Sequence, residues 1–303
     1  MCDRFWWITA WCGIKFTGGN IKDYLNDQVE KSIFIIREAL AKFKRPAVLW
    51  STGKDSTTVL SLIKKATFEQ SDIPVIHIDT EKKFKEIYEF RDTIAKRWKL
   101  NLIITKNEEA LKNKVSPETT SKFECCNLLK TEALKQVIKK YKFDAIIVSI
   151  RRDEHYIRNL ERVMSPRDKE FKWHLLREKT SDETKTGDAP FVSEQQPELW
   201  NLFQTDFKDA NHVRVHPILH WTELDVWKYI KKESLPVNPL YFSRNGYRYR
   251  SLGCACCTSP VKSDAKNINE IVRELELTDI EERSGRSQDK ETIIRRLRAL
   301  GYM

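Results

Sequence analysis

The chain has 303 residues, of which 40% are hydrophobic and 32% charged, and its formal net charge is +10. No apolar run approaches the roughly 20 residues that cross a bilayer, so a membrane-spanning protein is excluded and a cytoplasmic location is expected. The excess of basic residues favours an anionic partner such as a nucleotide, a nucleic acid or an acidic protein, although it also serves general solubility.

The region up to residue 164 divides into two parts. Residues 1–19 are rich in aromatic side chains and are predicted to form an N-terminal extension. In residues 20–164, short apolar segments alternate with longer segments that have the apolar spacing of helices. The predicted helices are 21–43, 56–65, 83–98 and 127–141, and the predicted strands are 46–51, 73–80, 101–105 and 143–150. This alternation is typical of a doubly wound parallel sheet covered by helices on both faces, so one α/β domain is predicted.

The character of the sequence changes after this domain. Residues 165–212 are polar and are predicted to form a surface loop. The segment "HVRVHPI" (212–218) is predicted to add one more strand, and Thr222, three residues before Asp225, to cap the next helix. Residues 213–303 are predicted to form a mostly helical C-terminal region with a Cys-rich turn.

The segment "STGKDS" (51–56) lies between the first predicted strand and the next helix. It is not a Walker A loop, because Gly53 is its single glycine and Lys54 is followed by Asp55. It still has the elements of an anion cradle, since Gly53 lets the backbone approach a phosphate and the helix directs its positive end there. Hydroxyl donors are added by Ser51, Thr52 and Ser56. The alternative is an ordinary strand-to-helix turn that Asp55 or Ser56 caps.

Charged and polar side chains follow two other predicted strands, where a doubly wound sheet places its ligand crevice. They are Asp79, Thr80 and Lys83 after the second strand, and Arg151, Arg152, Arg158 and Arg162 after the fourth. Guanidinium groups present paired donors that suit tetrahedral oxyanions, so phosphate and sulfate are the predicted ligands. The alternatives are a solvated helix with ion pairs for the arginines and a helix cap for Asp79.

The loop resembles the Ser-x-Gly-x-Asp-Ser motif of the ATP-pyrophosphatase (PP-loop) superfamily, whose members cleave ATP between the α- and β-phosphates. Further segments are similar to the small, ATP-binding subunit of bacterial sulfate adenylyltransferase. These segments are "HIDTEKKFKEIYEFRD" (77–92), "LLKTEALKQVIKKYKFDAIIVSIRRDE" (128–154), "QPELWNLF" (196–203), "RVHPILHWTELDVWKYI" (214–230), "YRSLGC" (249–254) and "ERSGRSQDK" (282–290). The resemblance covers residues 20–303.

This resemblance implies an adenine nucleotide alpha-hydrolase-like fold and transfer of AMP from ATP to sulfate, which yields adenylyl sulfate and pyrophosphate. Lys83, Arg151 and Arg152 are then the candidate catalytic residues. The candidate ATP-binding residues are Ser51, Thr52, Gly53, Lys54, Asp55, Ser56, Asp79, Thr80, Arg158 and Arg162. The resemblance also implies Mg²⁺ with the ATP and a separate large GTPase subunit as partner, whereas nucleic acid is not an expected partner.

Seven cysteines are present, and five lie in two tight clusters, which does not fit a disulfide framework. Cys125, Cys126, Cys254 and Cys257 could hold a [4Fe–4S] cluster or zinc, and the alternative is that they are buried or surface thiols. The same arrangement resembles the assimilatory adenylyl-sulfate reductases, the nearest rival enzymes. Those reductases use a cysteine in a C-terminal tail, and no cysteine follows Cys257.

Two further functions stay open, a PP-loop protein that introduces sulfur into nucleic acid and a degenerate ATP-binding scaffold. The chain also departs from the pattern of the sulfate adenylyltransferase subunit at two positions. Glu81 stands where that family usually has glycine, and Ser259 replaces another glycine. The Glu81 carboxylate is expected near the anion site, where it would oppose binding.

Overall fold

A computed structural model of the protein describes residues 21–70, 72–154, 158, 161–172, 210–278 and 282, with the backbone alone for 21–23. The predicted N-terminal extension and most of the predicted surface loop lie outside the described residues. The helices are α1 (Ile21–Lys42), α2 (Lys54–Ala66), α3 (Lys85–Arg97), α4 (Glu108–Lys112), α5 (Lys122–Cys126), α6 (Ala133–Tyr141), α7 (Glu223–Glu233) and α8 (Ile268–Glu276). The strands are β1 (Pro46–Leu49), β2 (Val75–Ile78), β3 (Leu102–Thr105), β4 (Ala145–Ile147), β5 (Met164–Arg167), β6 (His212–Val215), β7 (Tyr247–Arg248) and β8 (Val261–Lys262). Among the helices in these ranges, none combines the length and apolar character that crossing a bilayer requires.

Six strands form one sheet in the order β3-β2-β1-β4-β6-β5, and β7 pairs with β8 separately. Neighbours in the large sheet are parallel except β5 and β6, which are antiparallel. From the centre of the sheet, the chain moves outward through β1, β2 and β3 on one side. On the other side, β4 is followed outward by β6 and β5. The predicted doubly wound, mostly parallel α/β fold is therefore confirmed. The direction reverses between β1 and β4, which is where such sheets bind ligands.

Successive side chains of a strand point to opposite faces of the sheet, so each face has its own apolar cluster. Ala47 and Leu49 of β1 pack with Leu134 and other apolar residues of α6. Val48, which points to the opposite face, packs in a larger cluster with residues of α1, α2 and α7. Because both faces are covered, the central strands are short apolar runs.

Two predicted helices differ in their details. Helix α2 begins at Lys54, two residues before the predicted start, so its N-terminus lies within the loop. The predicted helix 127–141 begins as a π-helical turn (Asn127–Glu132) that leads into α6. The predicted cap of α7 is confirmed, since Thr222 Oγ1 accepts a hydrogen bond from the amide of Asp225 at 3.1 Å, within a capping box.

The predicted strand at 212–218 is present as β6. It inserts between β4 and β5, so the sheet contains strands from both sides of residue 164. Local composition does not predict this placement, because β6 pairs with β4, from which a long polar segment separates it in the sequence. The division of the chain into a domain at 20–164 and a region at 213–303 stays a prediction.

Candidate active site

A pocket opens at the carboxyl ends of β1, β2 and β4, where the winding direction reverses. Six of the candidate catalytic and ATP-binding residues are among the described residues that line it, namely Ser51, Gly53, Asp55, Thr80, Lys83 and Arg158. The opposite wall comes from later parts of the chain and includes Tyr241, Cys254 and Glu282. The structure thus brings the ends of three strands together with the C-terminal region in one site.

The loop between β1 and α2 leaves the start of α2 without a side-chain cap. Ser56 does not cap the helix, since its hydroxyl lies 3.2 Å from the Gly53 carbonyl oxygen and 3.2 Å from Ser51 Oγ. Thr52 adopts a left-handed backbone with φ of 67°, which turns the chain from the strand into the helix. The alternative of an ordinary capped turn is therefore not what the structure shows. An uncapped helix N-terminus that faces a pocket is an anion-binding arrangement.

Gly53 does not use the backbone freedom of glycine, since its φ is −77°, but the space beside its Cα is narrow. A Cβ atom at this position would lie 3.3 Å from Ser51 Oγ and 3.4 Å from Tyr241 Oη. The tyrosine hydroxyl comes this close because it accepts a hydrogen bond of 2.8 Å from the backbone amide of Lys54. Tyr241 is buried, and its ring meets that of Trp227 edge to face at 5.4 Å. One amide of the predicted phosphate cradle is thus already bound to a tyrosine that sequence reasoning did not identify.

Two predicted cations, Lys54 and Arg151, share the carboxylates of Asp55 and Glu282, both of which line the pocket. The Arg151 guanidinium donates from Nε to Asp55 Oδ1 at 2.8 Å. Lys54 Nζ donates to Asp55 Oδ2 at 3.2 Å and to Glu282 Oε1 at 2.5 Å, and Arg151 Nη2 donates to the second oxygen of Glu282. The prediction placed the loop and Arg151 in one site, and the structure brings them within hydrogen-bonding distance. Both side chains are fully buried and do not line the pocket, whereas their partners Asp55 and Glu282 do.

The opposite charges of this network shift one another's pKa values so that each group stays ionised. Burial alone would lower the pKa of Lys54, but the carboxylates of Asp55 and Glu282 outweigh it and raise that pKa. The pKa of Arg151 is raised for the same reason. Burial would raise the pKa of Glu282, and the two cations lower it. The network is therefore a pair of buried cations that the Glu282 carboxylate bridges.

The other arginines are distributed differently. Arg158 lines the pocket and donates to Glu154 Oε2 at 2.5 Å. Arg152 donates to the carbonyl oxygen of Glu161 at 3.1 Å and does not line the pocket, and neither does Arg162. Arg152 begins a short 3₁₀ turn (Arg152–Glu154) after β4, and its guanidinium has different partners from that of Arg151. The phosphate or sulfate contacts predicted for Arg152 and Arg162 stay untested predictions.

Lys83 reaches the pocket from the loop after β2. Its ammonium donates to His77 Nε2 at 2.8 Å and to the carbonyl oxygen of Ile78 at 2.5 Å. Burial lowers the pKa of Lys83 to about 7, and burial with the Lys83 charge lowers the pKa of His77 to about 2. An anion in the pocket would raise the pKa of Lys83 again, so the cation is strongest when a ligand is present.

The Asp79 side chain stabilises the turn that follows β2. Its Oδ1 accepts hydrogen bonds from the amide of Glu81 at 2.8 Å and from the hydroxyl of Tyr88 at 2.9 Å, and Asp79 does not line the pocket. Glu81 has a left-handed backbone with φ of 54°, which explains why glycine suits this position. Its carboxylate binds Lys106 at 2.6 Å, so the expected intrusion into the anion site does not occur. Ser259 is exposed, and nothing in the structure explains its replacement of glycine.

The two cysteine clusters meet beside the pocket. Burial raises the pKa of Cys125 to about 12, and the neighbouring Cys126 and Cys254 thiols add to the effect. Burial and Cys256 raise the pKa of Cys257 to about 12 in the same way. Among the described residues no three His, Cys, Asp or Glu side chains are placed to hold a metal ion. The predicted [4Fe–4S] cluster or zinc at Cys125, Cys126, Cys254 and Cys257 therefore stays a prediction.

Two groups of known proteins are similar to this chain. The phosphoadenosine phosphosulfate reductase domain family matches residues 45–260. The sulfate adenylyltransferase subunit 2 of Geotalea uraniireducens is 38% identical over 296 residues, covering 88% of this chain and 93% of the relative. The protein of the same name from Sulfurimonas denitrificans is 35% identical over 299 residues, covering 89% and 93%.

Solved structures share the fold. The FMN adenylyltransferase of Candida glabrata in complex with ATP has a TM-score of 0.56 and 16% identity, covering 89% of this chain and 90% of that chain. The same enzyme with FMN and an ATP analogue has a TM-score of 0.55 and 17% identity, covering 96% and 94%. At this level of identity the similarity shows a common fold and nothing further.

Proposed function

The chain belongs to the sulfate adenylyltransferase subunit 2 family, and from this premise we propose that it transfers AMP from ATP to sulfate, releasing pyrophosphate. The observation that carries the proposal is the uncapped N-terminus of α2, which faces the pocket at the switch point between β1 and β4. We assign the amides at this end, other than that of Lys54, which donates to Tyr241, to the β- and γ-phosphates, with the hydroxyls of Ser51 and Ser56 in the same loop. Lys83 and Arg158 line the pocket and are placed for the remaining oxyanions.

In this reaction a sulfate oxygen attacks the α-phosphorus while the bond from that phosphorus to the bridging oxygen breaks. The bridging oxygen departs with the pyrophosphate, so no covalent enzyme intermediate is required. The site contributes by aligning the two anions and by stabilising the charge that moves to the leaving group.

The charge balance of the pocket argues that ATP arrives as its magnesium complex. Among the described residues that line the pocket, basic and acidic side chains are equal in number, with Lys83, Lys130 and Arg158 against Asp55, Glu154 and Glu282. Free ATP carries close to four negative charges at neutral pH, which this lining does not neutralise. We therefore propose Mg²⁺ as part of the substrate, where it neutralises phosphate charge. The Glu282 carboxylate has to leave Lys54 and Arg151 before these cations can contact phosphate.

A second chain is part of the proposal, since the relatives are named as subunits. Formation of adenylyl sulfate from ATP and sulfate is unfavourable, and we propose that a large GTPase subunit drives it. This sequence has no Walker A motif of its own to serve that purpose. We also propose that the enzyme works in the cytoplasm, where ATP and GTP are available.

The predicted [4Fe–4S] cluster or zinc has no part in this mechanism. Iron and zinc analysis of the purified protein tests that prediction, with absorbance between 350 and 450 nm (about the range expected for cluster thiolate ligation) as a second readout. The reaction above uses the chain's own cations, amides and hydroxyls.

The test is pyrophosphate release from ATP with and without sulfate, each with and without the GTPase subunit of a relative. Ser56→Ala and Ser61→Ala form a matched pair on α2, since Ser61 instead lies 3.2 Å from the hydroxyl of Tyr229 in the core. We expect sulfate-dependent release to fall by about 10- to 100-fold in Ser56→Ala and less than about twofold in Ser61→Ala. Absence of sulfate-dependent release from the unchanged protein under all four conditions would overturn the proposal. Steeply salt-dependent binding of tRNA or duplex DNA would then favour the nucleic-acid alternative.

A further inference from the structure

His77 is a fully buried histidine of β2 whose two ring nitrogens both have partners. Nδ1 lies 3.0 Å from the carbonyl oxygen of Trp50, and Nε2 lies 2.8 Å from Nζ of Lys83. Trp50 immediately precedes the phosphate loop, and Lys83 lines the pocket. The ring therefore lies between two walls of the candidate site without lining the pocket itself.

These partners determine the protonation of the ring. A carbonyl oxygen can only accept a hydrogen bond, so the hydrogen of the imidazole must be on Nδ1. Nε2 is then an acceptor, and the ammonium of Lys83 is its donor. A doubly protonated ring could not accept this bond and would repel the lysine. The low pKa of His77, which burial and the Lys83 charge cause, agrees with a neutral ring.

The same bonds restrict the ammonium of Lys83. Two of its three N–H groups are directed to His77 Nε2 and to the carbonyl oxygen of Ile78. The backbone of Lys83 is held by a bridge to Cys254. The one remaining N–H of a pocket-lining ammonium is thus oriented by its two fixed partners.

We propose that His77 is a positioning residue, whose neutral Nε2 orients the Lys83 ammonium toward an oxyanion in the pocket. This inference rests on the proposed function. The loop after β1 is placed for the departing pyrophosphate, so Lys83, which follows β2, meets the α-phosphoryl group or the incoming sulfate. A lysine held only by its own flexible chain would lose rotamer entropy at each turnover, and the histidine removes that cost in advance.

The kinetic test is a double-mutant cycle. His77→Leu removes the acceptor at similar volume, whereas His77→Gln keeps an amide oxygen for Lys83 and an amide N–H for Trp50. We expect His77→Leu to lower kcat by about tenfold or more with the KM for ATP changed less than about twofold, and His77→Gln to retain most of kcat. In a Lys83→Met background, His77→Leu should change kcat less than about twofold, because the group that it positions is absent. Equal losses in both backgrounds would overturn the proposal.

A matched control is His216→Gln, because His216 is also fully buried but its Nδ1 lies 2.6 Å from the carbonyl oxygen of Arg162, away from the pocket. We expect kcat and KM to stay within about twofold of the unchanged protein in this variant. The KM for sulfate and the KM for ATP in His77→Leu distinguish the two oxyanions. A rise for sulfate alone places Lys83 at sulfate, and a change in neither places it at the transferring α-phosphoryl group.

A readout without turnover separates this inference from the proposed function. Nitrogen-15 NMR of histidine-labelled protein, with the His77 signals assigned from His77→Gln, should show a neutral ring with its hydrogen on Nδ1. Lys83→Met should shift the Nε2 signal, since it loses its donor. If sulfate-dependent turnover fails but these signals are found, the reaction is wrong and the pairing stands. A hydrogen on Nε2, or no response to Lys83→Met, would overturn the pairing itself.

Discussion

Lys54 Nζ lies 2.5 Å from Glu282 Oε1, although the two residues are 228 positions apart in the sequence. The second oxygen of the same carboxylate accepts a hydrogen bond from Arg151. One carboxylate therefore bridges the loop lysine and the arginine after β4, with an oxygen on each. A phosphate group presents its oxygens in a similar way, so Glu282 occupies the position at which a ligand phosphate could bridge the two cations.

Replacing Glu282 tests this competition. Glu282→Gln removes the charge that holds Lys54 and Arg151, so we expect pyrophosphate to bind about tenfold more tightly, as measured by calorimetry. The free energy of unfolding should fall at the same time, because a buried ion pair loses one partner. Glu274→Gln is the matched control, since Glu274 binds the buried Arg248 at 2.7 Å outside the pocket. Weaker pyrophosphate binding in Glu282→Gln would show that Glu282 supports the ligand site instead.

Tyr241→Phe tests the tyrosine that holds the loop. The change leaves the buried amide of Lys54 without its acceptor, at a cost of about 1–3 kcal/mol in stability. We expect the Kd for ATP to rise by about five- to tenfold, because the loop loses its anchor beside Gly53. Tyr229→Phe also removes a buried hydroxyl, which lies 3.2 Å from Ser61, but it should leave the Kd unchanged. Equal effects of the two changes on the Kd would refute a local role for Tyr241.

Glu81→Gly tests whether the unusual residue after β2 impairs the enzyme. Glycine relieves the left-handed backbone, and the partly exposed ion pair with Lys106 contributes little, so we expect a gain of about 0.5 kcal/mol in the free energy of unfolding. Sulfate-dependent turnover should stay within about twofold, because the carboxylate does not line the pocket. Glu69→Gly is the control, since Glu69 also has a left-handed backbone, with φ of 63°, and an ion pair to a lysine, Lys64. A large rise in turnover for Glu81→Gly alone would contradict this placement.

Buried neutral histidines should make the fold sensitive to mild acid. Burial lowers the pKa of His216 and of His220 to about 4 and that of His212 to about 2, below the ordinary value of 6.5. The unfolded chain therefore binds more protons than the folded one below pH of about 6.5, and stability present above this pH is lost as the pH falls. Each fully buried histidine contributes a slope approaching about 1.4 kcal/mol per pH unit.

Urea unfolding at several pH values between about 7.5 and 6 measures this slope. Asp153, whose pKa burial raises to about 6, and Lys83, whose pKa burial lowers to about 7, also titrate in this window, so the contribution of His216 is read from the difference between the unchanged protein and His216→Gln. His216→Gln should reduce the slope by up to about 1.4 kcal/mol per pH unit, which corresponds to one bound proton. An unchanged slope would mean that His216 is already protonated in the folded protein.

Local signals determined the fold and the position of the phosphate loop. Apolar segments alternating with helical spacing predict the parallel sheet, because buried strands and amphipathic helices each have a characteristic period. The small and hydroxyl residues of 51–56 between a strand and a helix predict an anion cradle at the end of β1. The general neighbourhood of Arg151 followed from the rule that ligands bind beyond the carboxyl ends of parallel strands.

The sequence by itself therefore determined the α/β architecture, the family resemblance and the edge of the sheet at which ligands would bind. Tertiary structure alone decided that Arg151 turns inward while Arg152 turns away, that Tyr241 holds the amide of Lys54, and that Glu282 covers both buried cations. The physical reason is distance along the chain. Periodicity and capping are properties of neighbouring residues, whereas a hydrogen bond between positions 187 residues apart, such as that from Lys54 to Tyr241, depends on how the whole chain packs.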